Sequence, residues 1–170
     1  MSQKKKNGFT LIELVLVIGL TALAVGITSD TLLSIVRSYG KAQVKSELEQ
    51  QANFISLKIG KELIGARNVT ATGTTLTFTD TYGNVETYSL VAPGILKKTT
   101  VAAGVTFDLT YNTPPGGVVV SCPTGSCFTV SNTTPVIADM NLRFTPASAN
   151  GGSYSGTFDL VKTFVIRSSY

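Results

Sequence analysis

Histidine is absent from the chain. Its absence removes the commonest metal ligand and the usual general base, and with them most zinc-site, triad and hydrolase chemistry. Charged residues are scarce, at 14% of 170. Beyond the first few positions the cations are scattered rather than gathered into a stripe interleaved with aromatics, so no nucleic-acid footprint is read. Cysteine is limited to Cys122 and Cys127. They lack the two-residue spacing and the further ligands of a metal or redox pair. The length allows one sizeable core with an appended element and leaves no room for a second enzyme-sized domain.

What the chain does have is one concentrated apolar block. After Met-Ser-Gln-Lys-Lys-Lys-Asn-Gly, residues Phe9 to Ile27 contain a single charge, Glu13. A stretch of about twenty such residues is long enough to span a bilayer as a helix. Lys4, Lys5 and Lys6 directly before it form a basic cluster that stays cytoplasmic and places the C-terminal bulk outside. Arg37, Lys41 and Lys45 beyond the span weaken that asymmetry. Without residues 1–8 the chain would hold eleven cations against ten anions, nearly neutral.

Glu13 is the informative residue. A carboxylate in hydrocarbon costs several kcal/mol and is retained where it has a partner or a function. If the chain is cut after Gly8, a new α-amino group appears at Phe9, about one helical turn before Glu13. Between helices staggered along a polymer, the amine of one copy can meet Glu13 of the next and fix axial register, as a buried polar residue does in a coiled coil. A secretory signal peptide would share the basic start and apolar core, and Ala22-Leu23-Ala24 offers a small-x-small cleavage site. A charge inside the apolar core argues against it. A plain membrane anchor explains neither Glu13 nor the glycine directly before Phe9.

Gly8-Phe9-Thr10-Leu11-Ile12-Glu13-Leu14 resembles the processing and methylation motif of type IV pilins and type II secretion pseudopilins. The resemblance implies that a membrane prepilin peptidase cleaves between Gly8 and Phe9 and N-methylates Phe9, and that Glu13 guides assembly. It further implies other pilin subunits and an inner-membrane assembly platform as partners, and membrane lipid around the helix before assembly. The head would lie outside the cytoplasm, first at the inner membrane and then in a surface pilus or periplasmic pseudopilus. Many relatives carry proline where this chain has Asp30, so a kink there is not carried over.

Within the span, Gly19, Ala22 and Gly26 share one face and would let a neighbouring helix approach closely, though small residues are also common in membrane helices. Further on, Val44, Leu48, Ala52, Ile55, Ile59 and Leu63 follow helical spacing, with charges mostly off that stripe. The spacing predicts a nearly continuous helix from about Thr10 to Ala66, ended by the Gly65 region, with Gly40 as a possible bend. From Asn68 the period changes to two. Strands are expected at Leu76–Phe78, Val85–Leu90, Ile95–Thr100, Thr106–Tyr111, Val118–Ser121, Asn141–Phe144 and Thr157–Arg167, with loops at 114–117 and 147–153. Cys122 and Cys127 bracket a loop short enough to close as a disulfide in an exported, oxidising location. Asn68-Val-Thr70 and Asn132-Thr-Thr134 match glycosylation acceptors, a pattern short enough to occur by chance.

The expected fold is therefore α+β, a long N-terminal helix packed on an antiparallel head. The divisions are residues 1–8 as leader, 9–29 as membrane and filament-core helix, 30–66 as amphipathic helix entering the head, and 67–170 as β head. The function read is a structural pilus or pseudopilus subunit, with no catalysis and no cofactor. The runner-up is a minor or tip subunit whose head binds a ligand, a surface or DNA, and a membrane-tethered or secreted β enzyme ranks third.

Overall fold

The computed structural model describes residues 9–113, 116–131, 133–147 and 156–167. One helix, α1 (Leu11–Leu63), precedes the antiparallel strands, giving an α+β fold. The helix starts where Thr10 can cap it, since the Glu13 N–H donates to the Thr10 hydroxyl at 3.4 Å. It runs unbroken through Gly19, Gly26, Asp30 and Gly40. It stops at Leu63, short of the expected Ala66, and the Ala66 N–H closes the last turn on the Leu63 carbonyl at 3.2 Å.

The chain divides after Gly40 into two units. In the first, every residue from Phe9 to Tyr39 is exposed. The apolar stretch of α1 passes the length and hydropathy requirements for crossing a membrane, with a mean hydropathy of 2.4 over its best window and none of that window buried. Such a surface is at home in lipid or against other helices rather than in water.

In the second unit the helical stripe predicted from spacing forms one wall of the core. Leu48, Ala52, Ile55, Ile59 and Leu63 are buried, and Val44 packs against them partly exposed. Two sheets supply the remaining walls, where a single sheet was expected. The first is a meander, β1 (Arg67–Thr72), β2 (Thr75–Thr79), β3 (Val85–Val91), β4 (Ile95–Thr100) and β5 (Val105–Asp108), in that spatial order. The second comprises β6 (Val118–Ser121), β7 (Phe128–Ser131), β8 (Val136–Pro146) and β9 (Phe158–Ile166). β8 is its spine. β7 and β6 pair with its first and second halves along one side, and β9 lies along the other.

The sheets meet at two places. The Val120 N–H reaches the Gly94 carbonyl at 2.9 Å, and the N–H groups of Cys127 and Phe128 both donate to the Gly73 carbonyl at 2.8 and 3.0 Å. Gly94 sits at φ +101°, and a Cβ there would lie 2.5 Å from Val119 Cγ1, so the junction requires glycine.

Candidate functional site

Four hydroxyls in the exposed apolar half of α1 satisfy themselves within the helix. Thr21 donates to Val17 O at 2.9 Å, Thr28 to Ala24 O at 2.9 Å, Ser29 to Val25 O at 2.8 Å and Thr31 to Ile27 O at 2.8 Å. These side chains enter an apolar environment with their hydrogen bonds already made. Glu13 does not. Among the described residues its carboxylate has one contact, the Thr10 hydroxyl at 3.5 Å, at the limit of a useful hydrogen bond.

Thr10 and Glu13 have the spacing of a capping box and one of its two bonds, the Glu13 N–H to the Thr10 hydroxyl, while the carboxylate is approached by that hydroxyl and not by the Thr10 N–H. Thr10 was not singled out from the sequence as a functional residue, although the Thr-x-x-Glu spacing was there to be read. Magnitudes decide what the cap can explain. A cap contributes about 1 kcal/mol, while a carboxylate in hydrocarbon costs about 2.5–3.5 kcal/mol on insertion scales. Capping alone therefore leaves the acid in deficit, and its free oxygen acceptors remain open to a cation. Its place in the first turn also sets it against the positive end of the helix dipole.

Phe9 lies just before this turn and is 77% exposed. Gly8, Lys4, Lys5 and Lys6 lie outside the described residues. Gly19 and Gly26 have no other atoms within 4 Å of a notional Cβ, so their side of the helix is open to a close neighbour.

Residues 3–29 match the family model of the prokaryotic N-terminal methylation motif. The chain carries the type IV pilin and pseudopilin signature. No curated protein and no solved structure matches the chain. The signature and the apolar helix fit a membrane-anchored pilin precursor.

The second unit carries two further features. Cys122 and Cys127 are joined in a disulfide with Cα atoms 4.7 Å apart, closing the β6–β7 loop. Cys127 is buried, and its N–H is one of the donors to Gly73, so the covalent loop also holds the sheet junction. The second feature ties α1 to the first sheet. Glu62 accepts from the Tyr88 hydroxyl at 2.6 Å and from Lys98 Nζ at 2.8 Å. Lys98 lies 3.5 Å from Glu86, whose two oxygens share the Thr100 hydroxyl at 3.0 Å. Burial, reinforced by the Glu62 carboxylate, pushes the Tyr88 phenol far above the ordinary tyrosine range.

The cluster has no sequence signature, because Glu62 is separated from Tyr88 by 26 positions and from Lys98 by 36. Each of its groups has a partner, and it serves to position the helix on the sheet. Lys41 and Arg37, which share a helical face with Lys45, form no ion pair among the described residues, while Lys45 meets Glu49 at 3.7 Å in an exposed pair of little energetic consequence. Among the described residues no three His, Cys, Asp or Glu side chains are grouped to hold a metal ion.

Proposed function

We propose that this chain is a structural subunit of a type IV pilus or a type II secretion-like pseudopilus. It is made as a prepilin, cut between Gly8 and Phe9, N-methylated at Phe9 and held in the inner membrane by residues 9–29. An assembly platform then draws it into a filament, where residues 9–29 form the core, 30–66 lead into the head, and 67–170 complete the head. The observation that carries this reading is Glu13, an acid in an uncovered apolar helix whose one described side-chain contact is a 3.5 Å approach from Thr10. Removal of the leader creates the cation it lacks, and a neighbour in the filament delivers that cation.

The pairing acts in two ways. It removes the penalty of an isolated charge in hydrocarbon, and it makes one axial stagger between helices better than the others. Apolar packing along the helix supplies attraction without register, since such contacts are non-directional. The mass of the mature N-terminal peptide tests the processing step. A peptide beginning at Phe9, heavier by one methyl group, is expected. A start after Ala24, or an intact Met1, contradicts it.

A further inference from the structure

Asp30 is the second acid in the exposed N-terminal stretch of α1, and it makes no ion pair among the described residues. It stands about 30 Å along the helix from Phe9, at the far edge of a hydrocarbon layer about 30 Å thick. Headgroups and water can solvate it there before assembly. Apolar surface continues beyond it, with Leu32, Leu33, Ile35 and Val36 each more than half exposed. A neighbour that covers this surface also strips water from Asp30, which then needs a cation.

The supply of cations is short. From Phe9 to Gly40 the chain holds two acids, Glu13 and Asp30, and one cationic side chain, Arg37. The amine freed at Phe9 makes the set neutral. Within one chain Asp30 and Arg37 are seven positions apart, about 10 Å along the axis, and they do not pair.

All four groups fall on one seam. With Glu13 at an a position of a seven-residue repeat, Phe9, Asp30 and Arg37 are at d. The a and d positions between Glu13 and Asp30 are Leu16, Leu20, Leu23 and Ile27, all exposed. This is the pattern of a helix that wraps a parallel partner along that seam. Partners in exact register would set Glu13 against Glu13 and Asp30 against Asp30. A stagger removes the conflict. Moving one copy toward the head end by four positions, about 6 Å, brings its Phe9 amine level with Glu13 of the trailing copy. A shift of seven, about 10 Å, brings its Asp30 level with Arg37 of the trailing copy and returns the seam to phase. Across that interval neither pair is more than about 5 Å from level. The lean of helical side chains toward the N-terminus carries Arg37 toward Asp30.

We propose that in the filament core Asp30 of each copy pairs with Arg37 of the trailing copy, the same neighbour whose Glu13 meets its amine, at a stagger of about 6–10 Å. This rests on the filament reading above and adds a second registering pair at the head end of the core.

The test is complementation between two forms of the full chain. Asp30→Arg puts cations on both sides of the contact, and Arg37→Asp puts acids on both. Each form alone is expected in the membrane and lost from sheared filaments. Co-expressed, the two can alternate so that opposite charges face each other again, and recovery in filaments is expected to return. Filaments from either form alone at the unsubstituted level, or no recovery on mixing, overturn the pairing. Where either form fails to reach the membrane, neutral variants decide. Asp30→Asn and Arg37→Gln each leave one charge unpaired, whereas the combined variant leaves none and is expected to enter filaments better than either. A combined loss equal to the product of the single losses overturns the pairing. These outcomes leave the filament reading standing, while failure of the unsubstituted chain to enter any filament overturns both.

Discussion

Tyr88 is fully buried, with its hydroxyl donating to Glu62 at 2.6 Å and its ring stacked near Phe78 at a centroid distance of 6.0 Å. Tyr88→Phe keeps the ring and removes the donor, leaving Glu62 with Lys98 as its close partner. A hydrogen bond to a charged group contributes about 1.5–3 kcal/mol, and a loss in that range is expected in urea unfolding of the head. The pH dependence has a definite sign. The folded phenol titrates above its unfolded value, so folding favours its protonated form. That contribution is complete below the unfolded tyrosine value, near pH 10, and is lost as the pH rises beyond it. Wild-type stability should therefore fall above about pH 10 more steeply than that of Tyr88→Phe, as read by thermal unfolding across alkaline pH. Parallel profiles would contradict the account.

At the scale of elements, α1 has two kinds of surface beyond Lys41, a buried stripe and an exposed apolar side. Ile59→Ala removes a buried side chain from the stripe and should cost about 2–5 kcal/mol, the range for large-to-small core changes. Leu57→Ala, two residues earlier on the exposed side, should stay within about 0.5 kcal/mol. Denaturant midpoints of the two variants check this pair. The stripe was legible because helical spacing repeats over five turns and charges avoid it. Strands β2, β3, β4, β6 and β9 were legible for a similar reason, alternation bounded by turn residues. β1 was not, because Arg67-Asn-Val-Thr-Ala-Thr offers one strong apolar residue and has its second residue, Asn68, at φ 51° within a register shift. β7 was hidden by its length of four residues, and the first half of β8 by Pro135 and the Asp139 that interrupts its apolar run. The expected strand at Thr106–Tyr111 begins one residue earlier, at Val105, and ends at Asp108, although the Leu109 N–H still bonds Leu96 O at 2.8 Å.

The division of the head into two sheets was also invisible in the sequence, because what joins them is backbone geometry at Gly73 and Gly94 and not a side-chain pattern. Gly94→Ala places a Cβ against Val119 and the Val120 carbonyl at a positive φ, and should cost about 1–3 kcal/mol. Gly73→Ala, with open space around it, should cost only the backbone strain, about 1–2 kcal/mol at most. Comparing their melting temperatures separates crowding from strain. The N-terminal methylation motif was the most legible part of the whole molecule, since one acid in an apolar run is conspicuous and its spacing from Phe9 is fixed by the chain itself. Its capping by Thr10 went unread beside the larger charge argument. The two explanations differ in what they require of Glu13. A cap needs a hydrogen-bonding group, whereas a register pair needs a negative charge.

Glu13→Gln separates them, with the fraction of chains recovered in sheared filaments, relative to those left in the membrane, as the measurement. The glutamine keeps a capping-box side chain and removes the charge. The account predicts normal membrane insertion, a normal head and a severe loss of incorporation into filaments. Filaments as abundant as those of the unsubstituted chain would contradict it.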